Sequence, residues 1–178
     1  MSNMKMKKGA IAWILLLMGC AGIPENVEPV SHFKLDQYLG RWHEIARLDQ
    51  SFERGLSRVT ADYTMRDDGG VRVVNRGYSA SANSWKEAEG KAYFVRSPDL
   101  GYLKVSFFGP FYGSYVIFEL DQEHYLYALV CGPDKSYLWI LAREPVIGSD
   151  LKDRLVKKAA SFGFDTDQLI FVDHSPKP

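Results

Sequence analysis

Leu35-Asp36-Gln37-Tyr38-Leu39-Gly40-Arg41-Trp42-His43-Glu44-Ile45-Ala46-Arg47-Leu48-Asp49 is the stretch whose reading decides the fold. It reads as a short helical turn, a glycine hinge and then a strand. Gly40 lacks a Cβ, so the chain can turn sharply there and let a ring or another backbone come close. Beyond the hinge, side chains alternate with period two, which puts Trp42, Glu44, Ala46 and Leu48 on one strand face. A Trp at the start of that strand is a large plug for one end of whatever the sheet encloses.

Far downstream, Tyr137-Leu138-Trp139-Ile140-Leu141-Ala142-Arg143-Glu144-Pro145 is an aromatic-rich strand that ends at Arg143 and is stopped by Pro145. Thr60-Ala61-Asp62-Tyr63 lies between the two. In this order the three stretches resemble the three motifs of the lipocalins, with Ala61 as an insertion in the middle, Thr-Asp-Tyr, motif. Phe107-Phe108-Gly109-Pro110-Phe111-Tyr112-Gly113 resembles the bacterial outer-membrane branch of that family, and the likeness covers about residues 33 to 173. The resemblance implies an all-β protein: an eight-stranded antiparallel up-and-down barrel with a C-terminal α-helix packed outside. It also implies a floor motif of Gly40, Trp42 and Arg143, with the Arg143 guanidinium lying across the Trp42 ring as a cation–π contact.

Patterning along the chain predicts the strands that such a barrel needs. Arg58 to Met65 follows a wide loop over Gln50 to Ser57, and the Asp67-Asp68-Gly69-Gly70 turn leads into Val71 to Ser79. Trp85 to Val95 comes next, with Gly90 read as a bulge or bend. Leu103 to Phe108, Ser114 to Asp121, His124 to Cys131 and the strand ending at Arg143 bring the total to the number that closes a small barrel. Ser149 or Asp150 is expected to cap a helix to about Ser161, with Leu151, Leu155, Val156 and Ala159 as its apolar stripe. Gly163 stops it, and Gln168 to Val172 is a short closing strand.

If Trp42 and Arg143 point inward, period two turns Tyr137, Trp139 and Leu141 inward with them and leaves Leu138 and Ile140 to meet the helix. Ala46 and Leu48 join the lining from the first strand. Val59, Tyr63, Leu103, Val105, Phe107, Tyr115 and Ile117 are the further candidates. Such a cup is apolar and aromatic with a few hydroxyls, which suits an acyl chain.

The N-terminus reads as an address and an anchor. Lys5, Lys7 and Lys8 precede the apolar run from Gly9 to Met18, a secretory pattern too short to span a membrane comfortably. Leu17-Met18-Gly19-Cys20 resembles a bacterial lipobox, which implies lipidation of Cys20 and a small residue, Gly19, at the cleavage point. Two or three acyl chains hold a protein where one does not. Ala21, with no Asp in that place, implies sorting to the outer membrane, with the barrel expected on the periplasmic side. The expected organisation is residues 1–19 as signal peptide, 20–32 as lipidated terminus and tether, and 33–174 as barrel domain.

The remaining totals exclude as much as they suggest. The 178 residues are a single-domain length, and removing the three leading lysines leaves 19 basic against 22 acidic residues. No basic run survives, which argues against nucleic acid. Once Cys20 is lipidated, Cys131 is the only cysteine left and no intramolecular disulfide can form. No His or basic cluster adjoins Cys131 in sequence to activate it, and the four histidines lack metal-ligand spacing. With no Gly-x-Ser-x-Gly and no phosphate-binding loop, no catalytic constellation, metal site or cofactor is expected. The reading is a lipid-anchored carrier of lysophospholipids or fatty acids rather than an enzyme. The aromatic loop from Phe107 to Tyr115 keeps a partner-binding or homodimer face as the other reading.

Overall fold

The computed structural model describes residues 22–175. A one-turn helix, α1 (Leu35–Tyr38), leads into eight strands: β1 (Gly40–Arg47), β2 (Leu56–Met65), β3 (Val71–Ser79), β4 (Ser84–Phe94), β5 (Tyr102–Phe108), β6 (Phe111–Leu120), β7 (Tyr127–Cys131) and β8 (Leu138–Ala142). Helix α2 (Ser149–Ser161), a 3-10 turn (Thr166–Gln168) and the two-residue β9 (Ile170–Phe171) follow. Each of the eight strands pairs antiparallel with the next, and β1 pairs with both β8 and β2, so the sheet closes on itself. β1 and β2 pair only from Gly40 to His43, and β9 covers the half of that β1 edge left free, at Ala46 and Arg47.

Side-chain alternation sorts the apolar residues into two cores. Trp42, Tyr63, Val73, Leu103, Ile117 and Leu141 fill the barrel. Leu138, Ile140, Val116 and Leu129 face out and pack against Leu155 and Ala159 of α2 and against Phe164. Leu151 and Val156 flank that contact, so the helix buries the stripe that its 3.6-residue period lays down.

Strand β1 departs from simple alternation. Glu44 pairs with Leu141 but Ala46 pairs with Ile140, so Ile45 is an extra residue opposite a gap in β8. A bulge of one residue exchanges the two faces of everything beyond it. Trp42 and Glu44 point inward, whereas Ala46 and Leu48 turn outward into the core beneath α2. The expectation that Ala46 and Leu48 line the barrel is therefore corrected, and Arg47 takes the inward position.

Other corrections are local. Gly90 makes no bulge: β3 and β4 pair without interruption from Val71↔Ala92 to Ser79↔Ser84. Its missing Cβ matters instead because one there would lie 2.7 Å from the Ser106 carbonyl oxygen and 2.8 Å from the Phe107 ring. β7 begins at Tyr127, not His124, because the Asp121 carboxylate gathers the backbone N–H groups of Glu123, His124 and Leu126 into a turn. At α2 the capping position is Gly148, which offers no side-chain acceptor, and Ser149 is already helical. Residues 23–32 also differ from a free tether: Val27 is buried in the outer core, and Val30 exchanges backbone hydrogen bonds with Ile117 and Gly101. The expected signal peptide and the expected lipidation site at Cys20 lie outside the described residues.

Candidate functional site

One end of the barrel is sealed by contacts between distant residues. Gly40 adopts φ +94°, a conformation that glycine reaches without strain, and brings α1 across the opening. Trp42 is fully buried, and its indole N–H donates to the Tyr38 carbonyl at 2.8 Å. The Arg143 guanidinium lies 4.0 Å from the centre of the Trp42 ring. Its three nitrogens donate to the carbonyls of Tyr125 (3.1 Å), Arg41 (2.8 Å) and Gln37 (2.7 Å), tying β1, α1 and the β6–β7 turn together. Burial lowers the pKa of this guanidinium, and the tyrosines beneath it act in the opposite sense.

Above this floor is a cavity of about 640 Å³. Val59 and Tyr63 of β2, Leu103, Val105 and Phe107 of β5, Tyr115 of β6, and Trp139 and Leu141 of β8 line it, with Tyr137 just before β8. Ile117 points into the barrel but is fully buried in its core and does not reach the cavity surface. Phe52, Phe108 and Phe111, all strongly exposed, fringe the other end, where the β1–β2 loop and the β5–β6 hairpin leave a mouth.

Two polar clusters interrupt the apolar wall. Near the floor the Tyr115 hydroxyl meets those of Tyr38 at 2.7 Å and Tyr63 at 2.8 Å. Burial raises all three phenol pKa values, so the hydroxyls stay neutral donors and acceptors. Beside the mouth loop, the buried Arg47 donates from Nη1 to Glu44 Oε1 at 2.6 Å and from Nη2 to the Glu53 carbonyl at 2.8 Å. Trp139 Nε1 donates to Glu53 Oε2 at 3.0 Å. Burial and the neighbouring Glu53 charge push Glu44 up to about 8 against the pull of Arg47, and burial raises Glu53 as well.

Sequence reasoning missed Tyr38, Arg47 and Glu53 at this site and placed Glu44 on the inward face without giving it a role. Glu44 and Arg47 are three apart and on a regular strand would face opposite sides, so the observed pair between them needs the bulge, which β1 by itself does not announce. Cys131 belongs to the outer core and is not on the cavity wall. Burial pushes its thiol up to about 12.

Residues 33–174 match the family model described as the lipocalin-like domain. The chain belongs to the lipocalins. Among curated lipocalin relatives, "Outer membrane lipoprotein Blc" of Vibrio cholerae is 60% identical over 158 residues, covering 89% of this chain and 92% of that one. The protein of the same name from Escherichia coli K12 is 52% identical over 149 residues, 84% of each chain. Among solved lipocalin-fold structures, insecticyanin of the tobacco hornworm superposes with TM-score 0.67 at 26% identity, covering 86% of this chain and 87% of that one.

Proposed function

We propose that this lipocalin, anchored at the outer membrane through acylated Cys20, holds a single-chain lipid (a lysophospholipid or fatty acid) in its barrel and stores or carries it for membrane maintenance. The outer-membrane station follows from kinship with relatives that carry it in their names. The cavity supports the cargo: about 640 Å³, apolar through most of its wall, closed at one end and open at the other. That size is within the range of small-molecule sites. Each CH₂ taken from water into such a wall is worth about 0.8 kcal/mol, so an acyl chain supplies ample drive even after its ordering cost. The anchor keeps the mouth close to a membrane that can donate or accept the lipid.

The chain is read as a binding protein because it belongs to the lipocalins, its relatives are named as lipoproteins, and a largely apolar cavity suits a held ligand. Native mass spectrometry of the full chain carrying Cys20→Ser, challenged with lysophospholipids and free fatty acids, tests the proposal. A saturable one-to-one adduct that Val105→Trp weakens in a still-folded protein is the expected result. No adduct with any single-chain lipid would overturn it and favour an interaction module using the exposed Phe108 and Phe111 rings.

A further inference from the structure

The charge count among the buried groups at the cavity wall is unbalanced. Glu44, Arg47 and Glu53 are all buried, and they comprise two carboxyls but only one guanidinium. Ionised groups removed from water need opposite charge and hydrogen bonds in compensation. Arg47 is largely consumed: Nη1 goes to Glu44, and Nη2 to the main-chain carbonyls of Glu53 and Leu56 at 2.8 and 3.4 Å. It does not reach the cavity surface, whereas Glu44 and Glu53 do. At this cluster an incoming ligand meets carboxyl oxygens, not the guanidinium behind them; the other charges of the cavity wall, Arg76, Lys86 and Glu87, are exposed residues of β3 and β4, and Arg76 is paired with Glu87.

The cluster is also not closed on itself. Only one Glu44 oxygen, Oε1, has a donor among the described residues. Arg47 Nε is buried with no hydrogen-bond partner and lies 3.9 Å from Glu53 Oε2. The groups around Glu44 are Arg47 from its own strand, Glu53 from the mouth loop and Tyr63 from β2, whose hydroxyl is engaged by Tyr115. None of them supplies a second positive charge.

We propose that Glu44 and Glu53, bridged by Arg47, form a subsite for the primary ammonium of a single-chain amphiphile, so that the barrel selects a cationic or zwitterionic amino-lipid over an alkyl carboxylate. This rests on the cavity being a lipid site. With no ammonium present, a proton on Glu44 supplies the missing charge, consistent with its upward displacement by burial and by Glu53. An ammonium replaces that proton, which leaves to solvent, and the site becomes two carboxylates with two cations. An alkyl carboxylate instead brings a third acid to one guanidinium.

The test uses the full chain carrying Cys20→Ser, with N-phenyl-1-naphthylamine as a neutral reporter in the barrel. Hexadecylamine, hexadecanol and palmitate compete for it, each affinity being taken relative to hexadecanol in the same variant. At neutral pH the amine, protonated as a lysine would be, is expected to bind at least tenfold more tightly than palmitate. Glu44→Gln is expected to bring that ratio within about threefold. Raising the pH from 6.5 to 8.5 should strengthen amine binding in the parent and not in the variant. Should Glu44→Gln fail to fold by circular dichroism, Glu53→Gln and the parent's own pH profile carry the same test. Equal or tighter binding of palmitate, or an unchanged ratio in a folded variant, overturns the ammonium subsite while leaving the carrier reading intact. If no amphiphile displaces the reporter, both fall.

Discussion

Arg143→Met should weaken the barrel floor by an amount that the geometry sets. The substitution keeps most of the apolar stem and removes the charge and three N–H donors. Those donors reach the carbonyls of Tyr125, Arg41 and Gln37 at 2.7–3.1 Å, joining segments that lie 18, 102 and 106 residues from Arg143. Hydrogen bonds from a charged group are worth roughly 1.5–3 kcal/mol each when buried. The floor is partly open to water, which can hydrate the freed carbonyls, so about 1 kcal/mol each is the better figure. The cation–π contact with Trp42 at 4.0 Å adds about 0.5–1 kcal/mol.

The expected loss is about 3–4 kcal/mol. With a urea slope of about 2 kcal/mol per molar, the unfolding midpoint falls by roughly 1.5–2 M at unchanged slope. Arg143→Lys keeps a point charge over the ring but cannot fork to three carbonyls, so it should recover about a third of the loss. A double-mutant cycle with Trp42→Phe isolates the ring contact, expected to couple by about 0.5–1 kcal/mol. A loss below about 1 kcal/mol, or full rescue by lysine, would refute the reasoning.

Three further outcomes follow from the same structure. Ala46→Trp should cost about 1–3 kcal/mol by overpacking the core beneath α2 and leave ligand access open, whereas Val105→Trp should compete with ligand; urea melts and lipid titrations on both variants separate the two faces. Gly90→Ala sets a Cβ 2.7 Å from the Ser106 carbonyl oxygen and should destabilise by about 1–3 kcal/mol in the same melts. Because the folded-state pKa of Glu44 is raised to about 8, the folded chain holds a proton that the unfolded chain releases near 4.5. That contribution is fully present below the unfolded value and is lost as pH rises toward 8. Stability measured by urea should therefore fall across that window, and Glu44→Gln should flatten the slope.

Most of the barrel was legible because its signals are local. Alternating apolar residues between polar turns mark the strands, and a 3.6-residue stripe marks α2 whatever lies elsewhere in the chain. Gly40, Trp42 and Arg143 were legible as a set through their resemblance to a family pattern. The inward residues of β8 could be counted back from Arg143, whereas the candidates on β2, β5 and β6 had no such anchor, and of them Ile117 stops short of the cavity surface. Along β1 the count failed past Glu44. A bulge is a property of two paired strands, and nothing in Ile45 or Ala46 alone marks one.

That failure hid the site's chemistry. Once Ile45 is accommodated as the extra residue opposite β8, the faces exchange, and Arg47 turns inward to meet Glu44 and the loop residue Glu53. The tyrosine trio likewise joins α1, β2 and β6, which are distant in the chain. The segment from 23 to 32 shows the same division, since its prolines suggest a tether while Val27 finds a core to bury in. By itself the sequence determined the strands, their order and an apolar interior, because period, turn chemistry and hydrophobicity are carried within each segment. Only the tertiary structure decided which side chains meet in the cavity wall, because pairing register and burial arise between segments, and they set both the direction and the charge of the groups a ligand encounters.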